Sequence, residues 1–176
     1  MKTKHLITCA TLGMILAAAG WYSYASTNEL ADLAAMDIRH PPAQYDGATR
    51  IAAALKLAKA DGKRVLVQSS AQGCGWCHIL HTLMTTNAVI LAKIKSDFIY
   101  VLVDTTNDGQ REFYKTYAQG TDHTLVLVEL DADGKELACS IAWDIVQPDP
   151  SAPPGNFHIT PEHVMELLNQ WSAKRP

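Results

Sequence analysis

Positive charge is in short supply in this chain: 15 Lys and Arg stand against 18 Asp and Glu in 176 residues, a net −3 with histidine neutral. No basic patch stands out along it, which removes the electrostatic footprint that nucleic-acid binding requires. Cysteine is scarce as well, with four residues at positions 9, 74, 77 and 139. One close pair with leftovers suits a redox motif better than a disulfide scaffold. Internal repeats and low-complexity tracts are absent, and the length supports one well-buried domain rather than two.

Long apolar runs are missing too, except at the very start. Lys2 and Lys4 precede an uncharged apolar run over residues 6–19, then Gly20 and Ser23-Tyr24-Ala25-Ser26. That is the layout of a secretory signal, with small residues at the −3 and −1 positions of a cut after Ala25. The alternative is an uncleaved anchor, since residues 6–25 are long enough to cross a bilayer. On either reading the folded part is expected outside the cytoplasm, most simply in a bacterial periplasm, soluble after cleavage or tethered. Loss of residues 1–25 removes two lysines and no acid, so 13 basic residues face 18 acidic ones, a net −5. It also removes Cys9 and leaves Cys74, Cys77 and Cys139.

The division expected from this is a signal or anchor at 1–25, an N-terminal extension at 26–44 and one domain at 45–176. The extension has room for a short helix at 29–36, before His40-Pro41-Pro42 forbids its continuation. An amphipathic helix follows, with Ile51, Ala54, Leu55 and Ala58 on one face and a stop at Asp61-Gly62. A strand is expected at 64–69 and a helix at 75–84. Thr85-Thr86-Asn87 offers cap residues that break this helix before a second piece at 88–95. Residues 98–103 read Phe-Ile-Tyr-Val-Leu-Val, a continuous apolar strand of the kind buried on both faces. Residues 111–118 look helical. Strands at 125–130 and 136–142 flank Asp131-Ala132-Asp133-Gly134, a hairpin signal. The proline-rich stretch 147–158 reads as loop, and Thr160-Pro161 starts a last helix ending near 173. Strand-helix-strand connections imply parallel neighbours and the terminal hairpin an antiparallel edge. The class is therefore α/β, a mixed β-sheet flanked by helices.

Chemistry is concentrated at Cys74-Gly75-Trp76-Cys77, between the 64–69 strand and the helix after it. Three residues make nearly one helical turn, so the two sulfurs can meet and open or close a disulfide without large backbone motion. The first sulfur lies where unpaired helix N–H groups and the helix dipole favour a thiolate.

Over residues 45–143 and on to the final helix the chain resembles the thioredoxin superfamily. It is most similar to exported thioredoxin-like proteins, which have an alanine-rich helix (52–60), a Gly-Lys turn (Gly62-Lys63) and a strand (65–69). These are followed by a broken Cys-x-x-Cys helix (74–84) and a strand ending in Val103-Asp104. The resemblance implies a thioredoxin-like three-layer sandwich and a thiol:disulfide oxidoreductase that needs no organic cofactor. It implies Cys74 as exposed nucleophile and Cys77 as shielded resolving thiol, with Gly75, Trp76 and His123 lining the substrate groove. The implied partners are exported proteins bearing thiols or disulfides, and a redox-recycling partner. Three positions depart from the family pattern. His123 stands where a cis-proline usually precedes the Thr-Leu-Val strand, Gln68 replaces the buried acid six residues before the first cysteine, and Tyr100 aligns with that acid's lysine partner. The 46-position gap from Cys77 to His123 leaves no room for an inserted helical domain.

Two other chemistries share these residues. Cys74, Cys77, His78, His81 and His123 could ligate zinc, copper, iron or an iron–sulfur cluster, His78 and His81 lying one turn apart. Against it, Cys77 and His78 point in different directions around a helix. Cys74-Gly75-Trp76-Cys77-His78 also matches the c-type haem attachment pattern, but β-runs surround it where a haem pocket is mostly helical. Cys139 alternates with Leu137 and Ile141 in a strand, as an ordinary buried cysteine does.

Overall fold

The computed structural model describes residues 47–106, 112–121 and 123–173. The expectations for 1–25 and 26–44 lie outside them. The chain runs α1 (Gly47–Asp61), β1 (Arg64–Ser70), α2 (Gly75–Thr86), α3 (Ala88–Asp97), β2 (Phe98–Asp104) and α4 (Glu112–Thr116). Then come a 3-10 turn (Ala118–Gly120), β3 (Val126–Leu130), β4 (Glu136–Ile141), α5 (Ala142–Ile145), the short pair β5 (Gln147–Pro148) and β6 (Phe157–His158), and α6 (Pro161–Ala173).

Four strands form one mixed sheet in the order β2-β1-β3-β4. β1 and β2 are parallel because the α2–α3 crossover returns the chain to the same end, whereas β3 runs antiparallel to both β1 and β4. Successive strand side chains alternate between faces, and this divides the core in two. Leu66, Tyr100, Leu102 and Leu127 pack with Leu80, Met84, Ile90, Ile94 and Leu168 of α2, α3 and α6. Val65, Val67, Ile99, Val101, Val126 and Val128 pack with Ile51, Ala54 and Ala58 of α1 and Phe113 of α4. Helices therefore cover both faces, the expected three-layer arrangement.

The break between α2 and α3 has the anticipated cause. Asn87 Oδ1 accepts from the N–H groups of Val89 and Ile90, capping α3, while its own N–H closes α2 on the Leu83 carbonyl. Three stretches differ from the sequence reading. The helix expected over 111–118 is only Glu112–Thr116, and Arg111 lies outside the described residues. It stops because Ala118 adopts a left-handed φ of 61°, its N–H held by the Glu136 carboxylate at 2.8 Å. Ala142 does not extend the fourth strand but opens α5, since Asp144 accepts from the Ile141 N–H at 3.0 Å and caps that helix. The 147–158 loop contains the paired β5 and β6.

Asp97 links α3 to α6. Desolvation alone would raise its pKa, but hydrogen bonds from Ser172, Ser96 and Lys93 outweigh that and hold it well below the usual carboxylate range. A depressed folded pKa contributes stability above the unfolded value near 4, and that stability fades as pH falls below it. Asp97→Asn is expected to cost about 2 kcal/mol at pH 7 and clearly less near pH 2, where the unfolded-state carboxyl is already protonated while the folded one still keeps much of its charge. Urea unfolding at the two pH values checks this.

Candidate active site: a dithiol at a helix start

After β1 the chain turns through Gly73, whose φ of 82° few other residues tolerate, and the Cys74 N–H closes the turn on the Ala71 carbonyl at 3.1 Å. Cys74 is then the N-cap of α2 in extended conformation, and its sulfur accepts from the Cys77 N–H at 3.2 Å. Sulfur thus occupies the place where capping oxygens ordinarily meet the free amides of a first turn. Cys74 and Cys77 are joined by a disulfide with Cα atoms 5.3 Å apart. Burial is asymmetric: Cys77 is fully buried and Cys74 only partly. Trp76, between them, is exposed.

A groove of about 510 Å³ opens over the disulfide. Its floor is residues 71–76, one wall is Thr124 and Leu125, and the other is Ala142, Trp143 and Val146 of α5 and its end. No charged residue lines it. The Thr124 wall is pinned by Ser69, whose hydroxyl donates to the Thr124 carbonyl at 2.7 Å and accepts from the Val126 N–H at 2.9 Å. Tyr114 donates a further bond to Thr124 O at 3.2 Å. Trp143 is the most exposed large apolar side chain of the described residues, at 66%. The His163 ring holds the α5 carbonyl of Asp144 at 2.7 Å through Nε2.

A strand-turn-helix dithiol on a β2-β1-β3-β4 sheet, layered by helices, is the decisive arrangement, and residues 47–131 match the family described as Thioredoxin-like. The chain is thioredoxin-like. A disulphide isomerase from Xylella fastidiosa Temecula1 superposes with a TM-score of 0.51 at 25% identity, over 56% of this chain and 76% of that one. A thioredoxin from Thermus thermophilus gives 0.50 at 20% identity, over 70% and 84%, and speaks for the fold alone. No curated protein matches the chain. With its Cys-x-x-Cys disulfide in this fold, the protein belongs with the thioredoxin-like thiol:disulfide oxidoreductases.

The three departures from the thioredoxin pattern fall at separate places. His123 precedes the Thr124–Leu125 wall, and its ring stands edge-on to Trp143 with centroids 6.3 Å apart. Asp122, which precedes His123, lies outside the described residues. Gln68 and Tyr100 are both buried beneath α2 and bonded to each other, the Tyr100 hydroxyl donating to Gln68 Oε1 at 2.6 Å. Gln68 Nε2 donates to the Cys77 carbonyl at 2.9 Å. His81 is buried and meets the same hydroxyl through Nδ1 at 3.0 Å.

The alternative ligand set is not gathered. His81 turns to Tyr100 beneath the helix, His123 to Trp143, and His78 is half-buried on α2. Among the described residues no three His, Cys, Asp or Glu side chains come together to hold a metal ion. Around the haem-attachment pattern lies a four-stranded mixed sheet, where a haem pocket is mostly helical.

Cys139 is unpaired and half-buried on β4. Burial first, then the carboxylates of Glu136 and Asp144, push its pKa up to about 11. In the reduced protein Cys139 is expected to resist iodoacetamide at pH 7 while Cys74 is alkylated, and peptide mapping of the adducts checks this. Sequence reading missed Trp143, Ser69 and the Gln68–Tyr100–His81 contact. A lone aromatic after a strand and a serine within one carry no signal until the strands are paired.

Proposed function

We propose that the protein exchanges disulfides with exported proteins outside the cytoplasm, most simply in a bacterial periplasm, either free after signal cleavage or tethered by its N-terminal segment. The asymmetric burial of the two sulfurs at the start of α2 carries this reading. An accessible sulfur at a helix N-terminus can attack, whereas a fully buried one can act only on a disulfide that its partner has already formed. Cys74 thiolate attacks a substrate disulfide, one substrate sulfur leaves as thiolate, and a Cys74 mixed disulfide results. Cys77 then attacks the Cys74 sulfur and releases the second substrate thiol. The same steps in reverse deliver a disulfide. A dithiol or disulfide recycling partner restores the starting state, and no organic cofactor takes part.

The groove suits a polypeptide. It is uncharged, and Trp76 and Trp143 offer rigid aromatic surface on two of its sides, as protein-binding surfaces do. Location is supported by the signal-like residues 1–25. Among the described residues no helix is long and apolar enough to cross a membrane.

The full-length chain carrying Cys77→Ser is expected to accumulate mixed disulfides through Cys74 with proteins of the cell envelope. Non-reducing gels and mass spectrometry of the cross-linked species read the result. Adducts confined to cytoplasmic proteins would overturn the location, and the absence of any Cys74-dependent adduct would overturn exchange itself.

A further inference from the structure

The hydrogen bonds beneath the dithiol have only one consistent direction. The Cys77 carbonyl can only accept, so Gln68 must present its NH₂ group there, at 2.9 Å. Gln68 Oε1 therefore faces Tyr100, whose single hydroxyl proton goes to it at 2.6 Å. With that proton spent, the Tyr100 oxygen can only accept from His81 Nδ1, 3.0 Å away. Neutral His81 must then carry its proton on Nδ1, the opposite of the tautomer favoured in water.

The chain continues through the backbone. The peptide between Cys77 and His78 takes Gln68 on its carbonyl, and its N–H donates to the Cys74 carbonyl at 3.2 Å. Every donor from His81 to that peptide points the same way, and bonds so aligned polarise and strengthen one another in a dry interior. Gln68, Tyr100, His81 and Cys77 are all buried. The direction of the chain survives protonation of His81, since Nδ1–H is present in both forms.

We infer that Gln68, Tyr100 and His81 are positioning residues for Cys77, a one-directional chain that fixes the peptide behind the resolving thiol and so sets how readily it closes on Cys74. The inference rests on the exchange reading above. The step it governs forms the Cys74–Cys77 bond, breaks the bond from Cys74 to the substrate sulfur, and lets that sulfur leave with the electron pair while Cys77 gives up its proton to solvent or to the leaving thiolate. Attack by Cys74 precedes this and does not use the chain. Such closure depends steeply on placement, because effective concentration falls quickly as reacting atoms drift apart.

The experiment uses the reduced full chain, with Cys9→Ser and Cys139→Ser in every variant so that only Cys74 and Cys77 release colour, and an aromatic disulfide whose thiolate is coloured. The first equivalent of colour reports attack by Cys74, and the second reports closure by Cys77. Tyr100→Phe is expected to slow the second phase about tenfold and leave the first within about twofold. A tenfold loss of effective concentration also raises the reduction potential by about 30 mV. His81→Leu should behave like Tyr100→Phe. His81→Asn should restore closure and potential, because the asparagine amide nitrogen can stand where Nδ1 does. If Tyr100→Phe fails to fold, the two His81 variants decide. Nitrogen-15 NMR of the wild-type protein is expected to place the proton of neutral His81 on Nδ1. A proton on Nε2, or folded Tyr100→Phe and His81→Leu with unchanged second phase and potential, would overturn the inference. A wild-type protein that releases no first equivalent would instead overturn the exchange reading, and the tautomer would still test the direction of the chain.

Discussion

Cys74→Ser is expected to lower disulfide exchange with a small peptide disulfide by on the order of a thousandfold or more, the scale on which loss of a nucleophile acts. Three features of the site converge on this residue. Its sulfur caps α2 and already accepts the Cys77 N–H at 3.2 Å, so a negative charge there meets a donor and the positive end of the helix. It is the accessible member of the pair, at the floor of the groove. A serine hydroxyl could take the same amide bond and keep the helix capped, so stability should change little while the attacking thiolate is gone. Cys77→Ser gives the contrasting result. It should form one mixed disulfide per chain at close to the wild-type rate and then stop, since nothing closes on Cys74. Stopped-flow measurement of thiol release from both variants separates the roles. Equal losses in the two, or a larger loss of the first step in Cys77→Ser, would reverse the assignment.

Arg64→Ala is expected to destabilise the fold by about 3–5 kcal/mol, the range for removing one partner of a buried ion pair. Arg64 begins β1 and forms an ion pair with Glu129 of β3, whose side chain is only 1% exposed. The guanidinium also donates to the Trp171 carbonyl of α6 at 2.9 Å and lies over the Phe98 ring, 5.4 Å from its centroid. One side chain thus joins two strands and the last helix. Alanine removes the cation facing a buried carboxylate, the hydrogen bond to α6 and the cover on Phe98 together. Replacing both partners by apolar residues of similar size, Arg64→Met with Glu129→Leu, should cost far less, because no buried charge remains to be solvated. Urea unfolding midpoints of the single and double variants test this. A loss under about 1 kcal/mol for Arg64→Ala would mean that the pair contributes no more than an exposed one.

The sequence by itself determined the elements whose signals are local. Asn87 breaks one helix and caps the next through its own side chain, and Asp131-Ala132-Asp133-Gly134 turns β3 into β4. The continuous apolar run Phe98-Ile99-Tyr100-Val101-Leu102-Val103 is enough to suggest a strand buried on both faces. The Cys-x-x-Cys disulfide was legible for the same reason, since three residues at a helix start bring two sulfurs together without help from the rest of the chain. Where a local signal competed with a distant partner, the tertiary structure decided. Ala118 leaves the helix for a left-handed conformation because Glu136, on another element, takes its N–H. Trp143 became a groove wall only when β4 ended at Ile141 and α5 turned toward Cys74. His123 matched a family position by sequence, yet its neighbour proved to be Trp143, 20 residues on. Gln68, Tyr100 and His81 are ordinary in isolation, and no spacing rule joins them. They meet because β1 and β2 pair in parallel register with Leu66 beside Tyr100, because period-two alternation puts Gln68 and Tyr100 on the same face, and because α2 lays one buried side over it. Residues far apart in the chain acquire a shared chemistry only when strand register and helix packing place their polar atoms within hydrogen-bond reach, and that information exists only in three dimensions.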